Sequence, residues 1–139
     1  MSRPKRVEIT FERGGKFIMT LLEEDAPASC KAFLKQLPLQ GLEVRHARFG
    51  GQEFYTHIPG MDAPKENAVE RFAGDVAFNP APDWRALIIF YGPELLQYPG
   101  QRFFNKIARV TDDLDKLMEV GNRIWLRGTE TVNLRLLSE

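Results

Sequence analysis

The chain distributes its apolar residues over many short runs, and this pattern limits what it can fold into. The longest run, Ala86–Tyr91, is far too short to cross a bilayer as a helix. Val7, Ile9 and Phe11 alternate with polar residues, as in a strand that buries one face. Many short strands bounded by glycine and proline are typical of a mainly β domain.

Segments of similar length follow along the chain and predict about eight strands in all. A two-residue turn at Gly14-Gly15 would place Phe11 opposite Ile18, because glycine adopts the positive φ that such turns need. The other predicted strands are Leu42–Phe49, Gln52–Ile58, Asp75–Asn79, Arg85–Tyr91, Asn105–Val110, Arg123–Leu126 and Thr129–Leu137.

Two segments instead show the three- and four-residue spacing of helices. The first helix begins at Asp25, a suitable N-cap, and ends before Pro38. The second begins at Thr111 or Asp112 and ends where Gly121 can close it. About eight strands with two covering helices predict a closed antiparallel β-barrel, which leaves no strand edge exposed, in one domain of residues 1–139.

Charge and cysteine content exclude some classes of partner. The 139 residues carry 19 basic and 19 acidic side chains, so the formal net charge is zero. Binding to nucleic acid through phosphates needs an excess of Lys and Arg, so we expect no nucleic-acid partner. Because the longest apolar run is too short to span a bilayer, we expect no membrane partner either. The one cysteine, Cys30, cannot form an internal disulfide, which favours a reducing, cytoplasmic location. Formation of a homo-oligomer stays open.

The segment richest in titratable groups is a predicted hairpin around Gly50-Gly51. A two-residue turn there pairs Arg48 with Glu53. It pairs His46 with Tyr55 in the same way. Cross-strand partners share a face of the sheet. One face would therefore carry a polar patch of His46, Arg48, Glu53, Tyr55 and His57, which includes both histidines of the chain.

The polar patch supports two functional hypotheses. In the first, the domain binds a small polar or anionic metabolite, or a peptide, with Arg48 anchoring a carboxylate or amide oxygen. In the second, it is an enzyme in which His46 and Glu53 act as acid and base and Arg48 clamps the substrate. A solvated sheet face, or a contact with another subunit, would explain the same pattern. Further residues expected to contact a ligand are Tyr55, His57, Glu66, Asn67 and Tyr91.

Neither a metal nor an organic cofactor is expected. His46, Glu53 and His57 are ligand types of a two-histidine, one-carboxylate centre. However, Glu53 and His57 would lie about 13 Å apart along a strand, at ~3.3 Å per residue, so their side chains converge poorly. The chain also has no glycine-rich phosphate loop, dinucleotide-binding fingerprint or nucleophilic serine motif.

Several short motifs resemble those of cyclophilins. Asp25–Leu34 looks like the cyclophilin stretch in which Ala-Pro and small polar residues precede a hydrophobic helix. Gly74–Asn79 and Phe104–Val110 fall where cyclophilin strands lie. The whole chain is similar to a family of small bacterial and archaeal proteins of unknown function with a cyclophilin-like fold. The matching motifs are His46-Ala47-Arg48 with Gly51 and Glu53, Glu66-Asn67, Tyr91-Gly92, Asn105, and Trp125 with Gly128.

This resemblance implies a fold and no established activity. Cyclophilins carry a Phe-Met-x-Gln-Gly-Gly-Asp segment on the hairpin that Val44–His57 matches, and Glu53–His57 contains no such segment. Prolyl isomerisation also needs an apolar slot for the proline ring, for which the polar patch is unsuited. We therefore expect no prolyl isomerase activity, and a residual isomerase is the least favoured of the hypotheses.

Overall fold

The structure is a computed structural model that describes residues 3–47, 50–95 and 104–137. Within these ranges, eight strands pair antiparallel and close on themselves in the order β1-β2-β7-β5-β6-β4-β3-β8. The predicted barrel with two helices is confirmed, and it is consistent with a cyclophilin-like fold. The elements are β1 (Arg6–Phe11), β2 (Lys16–Leu21), α1 (Pro27–Gln36), β3 (Leu39–His46), β4 (Gly51–His57), β5 (Asp75–Asn79), β6 (Ala86–Leu95), β7 (Asn105–Val110), α2 (Leu114–Arg127) and β8 (Glu130–Leu136).

The first hairpin shows how the barrel obtains its core. The predicted pairing of Phe11 with Ile18 is wrong, because the Phe11 N–H donates to Gly15 O and Ile9 lies opposite Phe17. The connection therefore contains three residues rather than two. As a result, the apolar side chains of both strands point to the inner face. Full burial of each large apolar side chain stabilises the fold by roughly 1.5–3 kcal/mol. These buried residues are Val7, Ile9, Phe11, Phe17, Met19 and Leu21.

Helix α1 lies where the sequence predicts a helix, although it begins after Ala26 and not after Asp25. It buries Cys30, whose Sγ lies 3.4 Å from Ile107 O on β7, and Phe33. Burial raises the pKa of the Cys30 thiol to about 12, so this thiol stays protonated and unreactive at neutral pH.

Helix α2 is longer than predicted. It continues through Gly121 to Arg127, so the predicted strand Arg123–Leu126 is wrong. Gly121 lies against the ring of Tyr91, and a Cβ at position 121 would overlap that ring. The glycine therefore permits close packing of the helix on β6 and does not end the helix, which Gly128 caps instead. Among the described residues, no helix is long and apolar enough to cross a membrane.

We expect the substitution Gly121→Ala to destabilise the fold by about 1–3 kcal/mol, as overpacking of a core does. Alanine in an open helix position would instead stabilise it by roughly 0.5–1 kcal/mol. Urea unfolding measures the difference, with the exposed neighbour Asn122→Ala as the matched control. In a Tyr91→Ala background the added methyl group should cost much less. If Gly121→Ala lowered the free energy of unfolding equally with and without the Tyr91 ring, Gly121 would not be required for packing against that ring.

Candidate functional site

The β3–β4 hairpin differs by one residue from the predicted register. His46 lies opposite Phe54, so its predicted pairing with Tyr55 is wrong. Tyr55 pairs instead with Arg45. Because successive side chains of a strand point to opposite faces, a shift of one residue moves a side chain to the other face.

The turn explains this shift. The Ala47 N–H donates to Glu53 O at 3.0 Å, and the Gly50 N–H donates to Ala47 O at 3.0 Å. Gly51 already belongs to β4, so the connection is not the predicted two-residue turn at Gly50-Gly51. Arg48, the predicted partner of Glu53, lies outside the described residues.

The predicted polar patch is therefore divided between two faces of the barrel wall. His46 shares the inner face with Phe54, and Glu53 lies on the outer face with Tyr55 and His57. The structure does not bring His46 and Glu53 together, as an acid–base pair would require. Among the described residues, no group of three or more histidine, cysteine, aspartate or glutamate side chains is placed to hold a metal ion.

On the inner face, His46 meets Tyr91, another of the predicted ligand contacts. Nε2 of His46 lies 2.6 Å from Oη of Tyr91, and burial raises the pKa of this phenol. The ring of Trp125, on α2, lies 4.7 Å from the His46 ring, measured between centroids. These three rings border a wide cleft of about 500 Å³ at the barrel rim, lined by both polar and apolar surface, which we call the rim cleft. The residues that line it are His46, Gly51, Gln52, Tyr91, Glu94, Leu95, Asn122 and Trp125.

On the outer face, strands β4, β5 and β6 form the floor of a second, more apolar space, which we call the outer cavity. Its volume is about 350 Å³. Trp84, in the β5–β6 connection, forms one wall: its ring stacks on His57 at 5.9 Å and meets Tyr55 edge-on at 6.0 Å. Nδ1 of His57 donates to the Trp84 carbonyl oxygen at 2.6 Å, which fixes this connection. The lining residues are Ala47, Glu53, Tyr55, Asn79, Ala81, Trp84, Ala86, Ile88 and Phe104.

Glu53 is the one charged side chain among the described residues that line the outer cavity. It is 5% exposed, lies opposite Phe90 of β6, and packs its carboxyl group on Gly50, where a Cβ would overlap it. Its Oε2 atom is buried without a hydrogen-bond partner among the described residues. Burial raises the pKa of Glu53 from 4.5 to about 7, although the positive charge of Arg71 acts to lower it.

Arg71 is placed by the end of the long loop before β5. The Phe72 N–H donates to Oδ2 of Asp75 at 2.6 Å and thereby fixes the segment that carries Arg71. The Arg71 guanidinium carbon lies 5.4 Å from the Phe90 ring centroid and 5.1 Å from that of Phe104. Burial lowers the pKa of Arg71, and Glu53 opposes that shift. Sequence reasoning missed Arg71 because it lies in a loop with no periodic pattern.

Glu66 and Asn67, two predicted ligand contacts, lie in the same loop but line neither space. The Glu66 carboxylate accepts from Ser29 N, and the Glu66 N–H donates to Oδ1 of Asn105 at 3.1 Å. Nδ2 of Asn67 donates to Lys106 O at 2.9 Å. These bonds attach the loop to α1 and β7, which is a structural role.

Fold and site together define a small eight-stranded barrel protein with a largely apolar cavity, in which Glu53 is the one carboxyl group among the described lining residues. The chain belongs to the family described as "Protein of unknown function (DUF3830)", whose model matches residues 9–136. The comparison with curated proteins found no match.

Solved structures that share the fold include two whose alignments cover nearly all of this chain. "Structure of McbB in complex with tryptophan" aligns with a TM-score of 0.73 and 22% identity over 96% of this chain. The alignment covers 45% of the McbB chain, so this chain spans less than half the length of that protein. The solution structure of the hypothetical protein AF2241 from Archaeoglobus fulgidus aligns with a TM-score of 0.65 and 21% identity, over 97% of this chain and 96% of the other.

The raised pKa of Glu53 predicts a pH dependence of stability. A carboxyl whose pKa is about 7 in the folded state and 4.5 in the unfolded state binds more protons when folded, so the free energy of unfolding falls as pH rises through that interval. The loss is up to about 3 kcal/mol, at ~1.4 kcal/mol per pKa unit. Glu53→Gln should remove it.

Chemical denaturation at pH 5 and pH 8 measures this effect. Relative to the wild type, Glu53→Gln should have a higher free energy of unfolding at pH 8 than at pH 5. The exposed Glu119→Gln on α2 is the matched control and should show no such trend. A Glu53→Gln difference that is the same at both pH values would show that Glu53 titrates normally.

Proposed function

We propose that this protein binds a small aromatic molecule in the outer cavity. The observation that carries the proposal is an apolar space of about 350 Å³, walled by aromatic rings, with one buried carboxyl group on its floor. Ligand sites are typically concave, largely apolar and 300–1,000 Å³ in volume, with a few polar groups that orient the ligand.

The shape and lining of the cavity favour a planar ring. Tyr55 and Trp84 offer ring faces and edges, and aromatic pairs are favourable at centroid separations of about 4.5–7 Å. Ile88 and Phe104 supply further apolar surface, so a ring that enters the cavity exchanges water for carbon contacts. The McbB structure, which has the same fold, is a complex with tryptophan, and this supports an aromatic ligand of similar size.

A mainly apolar ligand fits the cavity better than a polar one. The sequence pattern predicts a polar or anionic metabolite, or a peptide, bound by His46, Arg48 and Glu53 on one face. Because His46 lies on the opposite face from Glu53, that set does not act as a unit. Tyr55 remains part of the proposed site, and His57 supports its Trp84 wall.

A second candidate function is proton transfer by Glu53. A carboxyl with a pKa of about 7 exchanges protons efficiently at neutral pH, as a general acid or base must. This version of the enzyme hypothesis needs no contribution from His46. It is tested by whether Glu53→Gln abolishes turnover of a compound that the wild-type protein converts.

The absence of prolyl isomerase activity stays a prediction. The outer cavity is apolar enough to accept a proline ring, so polarity no longer argues against that activity. The remaining argument against it is that Glu53–His57 lacks the Phe-Met-x-Gln-Gly-Gly-Asp segment of cyclophilins.

The chain's two tryptophans provide a matched test of the binding site. Indole, used as the probe, should bind the wild-type protein, and Trp84→Ala should weaken its affinity about tenfold, because loss of one ring wall removes roughly 1.4 kcal/mol. Trp125→Ala, which alters the rim cleft and not the outer cavity, should leave the affinity unchanged. Protein-observed NMR titration measures both.

The position of the NMR shift changes checks the result independently. Resonances of Ile88 and Phe104 should move with indole, whereas those of Asn122 should not. Absence of indole binding, or equal weakening by the two tryptophan variants, would contradict the proposed function.

A further inference from the structure

We propose that the outer cavity selects arylalkylamines: the ring fills the apolar space and the protonated amine binds the Glu53 carboxylate. This inference rests on the proposed function, since it names the chemical class that the same cavity accepts. It adds a requirement for a positive charge at a defined place in the ligand.

The cavity floor contains an unsatisfied hydrogen-bond acceptor. Oε2 of Glu53 is buried and has no hydrogen-bond partner among the described residues, and the residue as a whole is 5% exposed. An ionised carboxylate has only acceptor sites, and buried polar atoms in proteins nearly always have a partner. A ligand that donates a hydrogen bond at this point would satisfy the atom.

The charge of the cavity lining favours a cation. Apart from Glu53, the described residues that line the cavity are uncharged, and Arg71, whose charge acts on Glu53, is not among these lining residues. A cation is attracted to the carboxylate in this largely apolar space, and an anion is repelled. A neutral ligand gains the ring contacts alone. The cavity thus distinguishes ligands that have the same ring and differ in charge.

Several charged and titratable groups near Glu53 make contacts of their own, although the charge of Arg71 also acts on the Glu53 carboxyl. Arg71, from the loop before β5, lies over the rings of Phe90 and Phe104. Lys106, on β7, pairs with Asp75 at 2.8 Å. On β4 itself, the nearby groups are the Tyr55 phenol and His57, and Nδ1 of His57 is bound to the Trp84 carbonyl oxygen. Arg71 is the group whose charge acts on Glu53, and it favours the ionised form that an amine requires.

Binding of an amine is therefore linked to release of a proton. With a pKa of about 7, Glu53 is close to half protonated at pH 7, and a bound cation favours its ionised form. Roughly half a proton should leave per ligand at that pH. An anionic ligand would have the opposite effect and would take up protons.

Three probes with one ring system test the charge requirement: tryptamine (cationic), 3-ethylindole (neutral) and indole-3-propionate (anionic). Isothermal titration calorimetry at pH 7, in two buffers of different ionisation enthalpy, gives both affinity and proton number. Tryptamine should bind at least tenfold more tightly than 3-ethylindole and release protons. Indole-3-propionate should bind more weakly than 3-ethylindole.

Glu53→Gln provides the decisive variant, because glutamine keeps the size of the side chain and removes its charge. The variant should bind 3-ethylindole within about threefold of the wild-type affinity, which also shows that its cavity is intact. Its preference for tryptamine and the proton release should disappear. Glu119→Gln, an exposed change on α2, should behave as wild type.

The outcomes separate this inference from the proposed function. If 3-ethylindole binds but tryptamine binds no more tightly, or if Glu53→Gln keeps the preference, selection by Glu53 is wrong and the aromatic cavity stands. If indole-3-propionate binds most tightly, the sign of the charge is wrong. If none of the three probes binds, the proposed function itself fails.

Discussion

In the β3–β4 hairpin, His46 lies opposite Phe54, and this pairing determines which face of the barrel each polar side chain occupies. The inner face receives His46, which joins Tyr91 at the rim cleft. The outer face receives Glu53 and Tyr55, which join the wall formed by Trp84. Both spaces, and the separation of the two titratable groups, follow from one register.

The outer cavity combines an apolar lining with a buried ionisable group, although an apolar environment disfavours charge. Burial of a charge costs free energy, and here the cost appears as a raised pKa for Glu53, only partly offset by Arg71. A protein that needed only stability would place a neutral or apolar side chain at this position. A buried carboxyl in an aromatic cavity is therefore more easily explained by a ligand than by the fold.

Sequence patterns predicted elements more successfully than their connections. Asp75–Asn79 and Asn105–Val110 are strands with the predicted bounds, since short apolar runs in a barrel have few alternative conformations. Neither glycine pair forms the predicted two-residue turn, because glycine permits several turn lengths and hydrogen bonding selects among them. The sequence predicts a helix end at Gly121, because close packing on Tyr91 cannot be recognised from one sequence.

The candidate site was predictable only in part, for the same reason. The sequence identifies Glu53 and Tyr55 as candidate site residues, but their neighbours depend on the register. Trp84 and Arg71 lie in connections, where no periodicity indicates which way a side chain points. Their contribution required the three-dimensional arrangement of the β5–β6 connection and of the loop before β5.

The account depends most directly on the ionisation of Glu53 inside the outer cavity. An NMR titration that follows the side-chain carboxyl carbons of a protein labelled with ¹³C-glutamate measures it, with Glu53→Gln to assign the resonance. The account predicts that the Glu53 carbon titrates with a midpoint near 7. It also predicts that saturating tryptamine moves this midpoint to lower pH. A midpoint at the ordinary value of 4.5, unchanged by tryptamine, would contradict it.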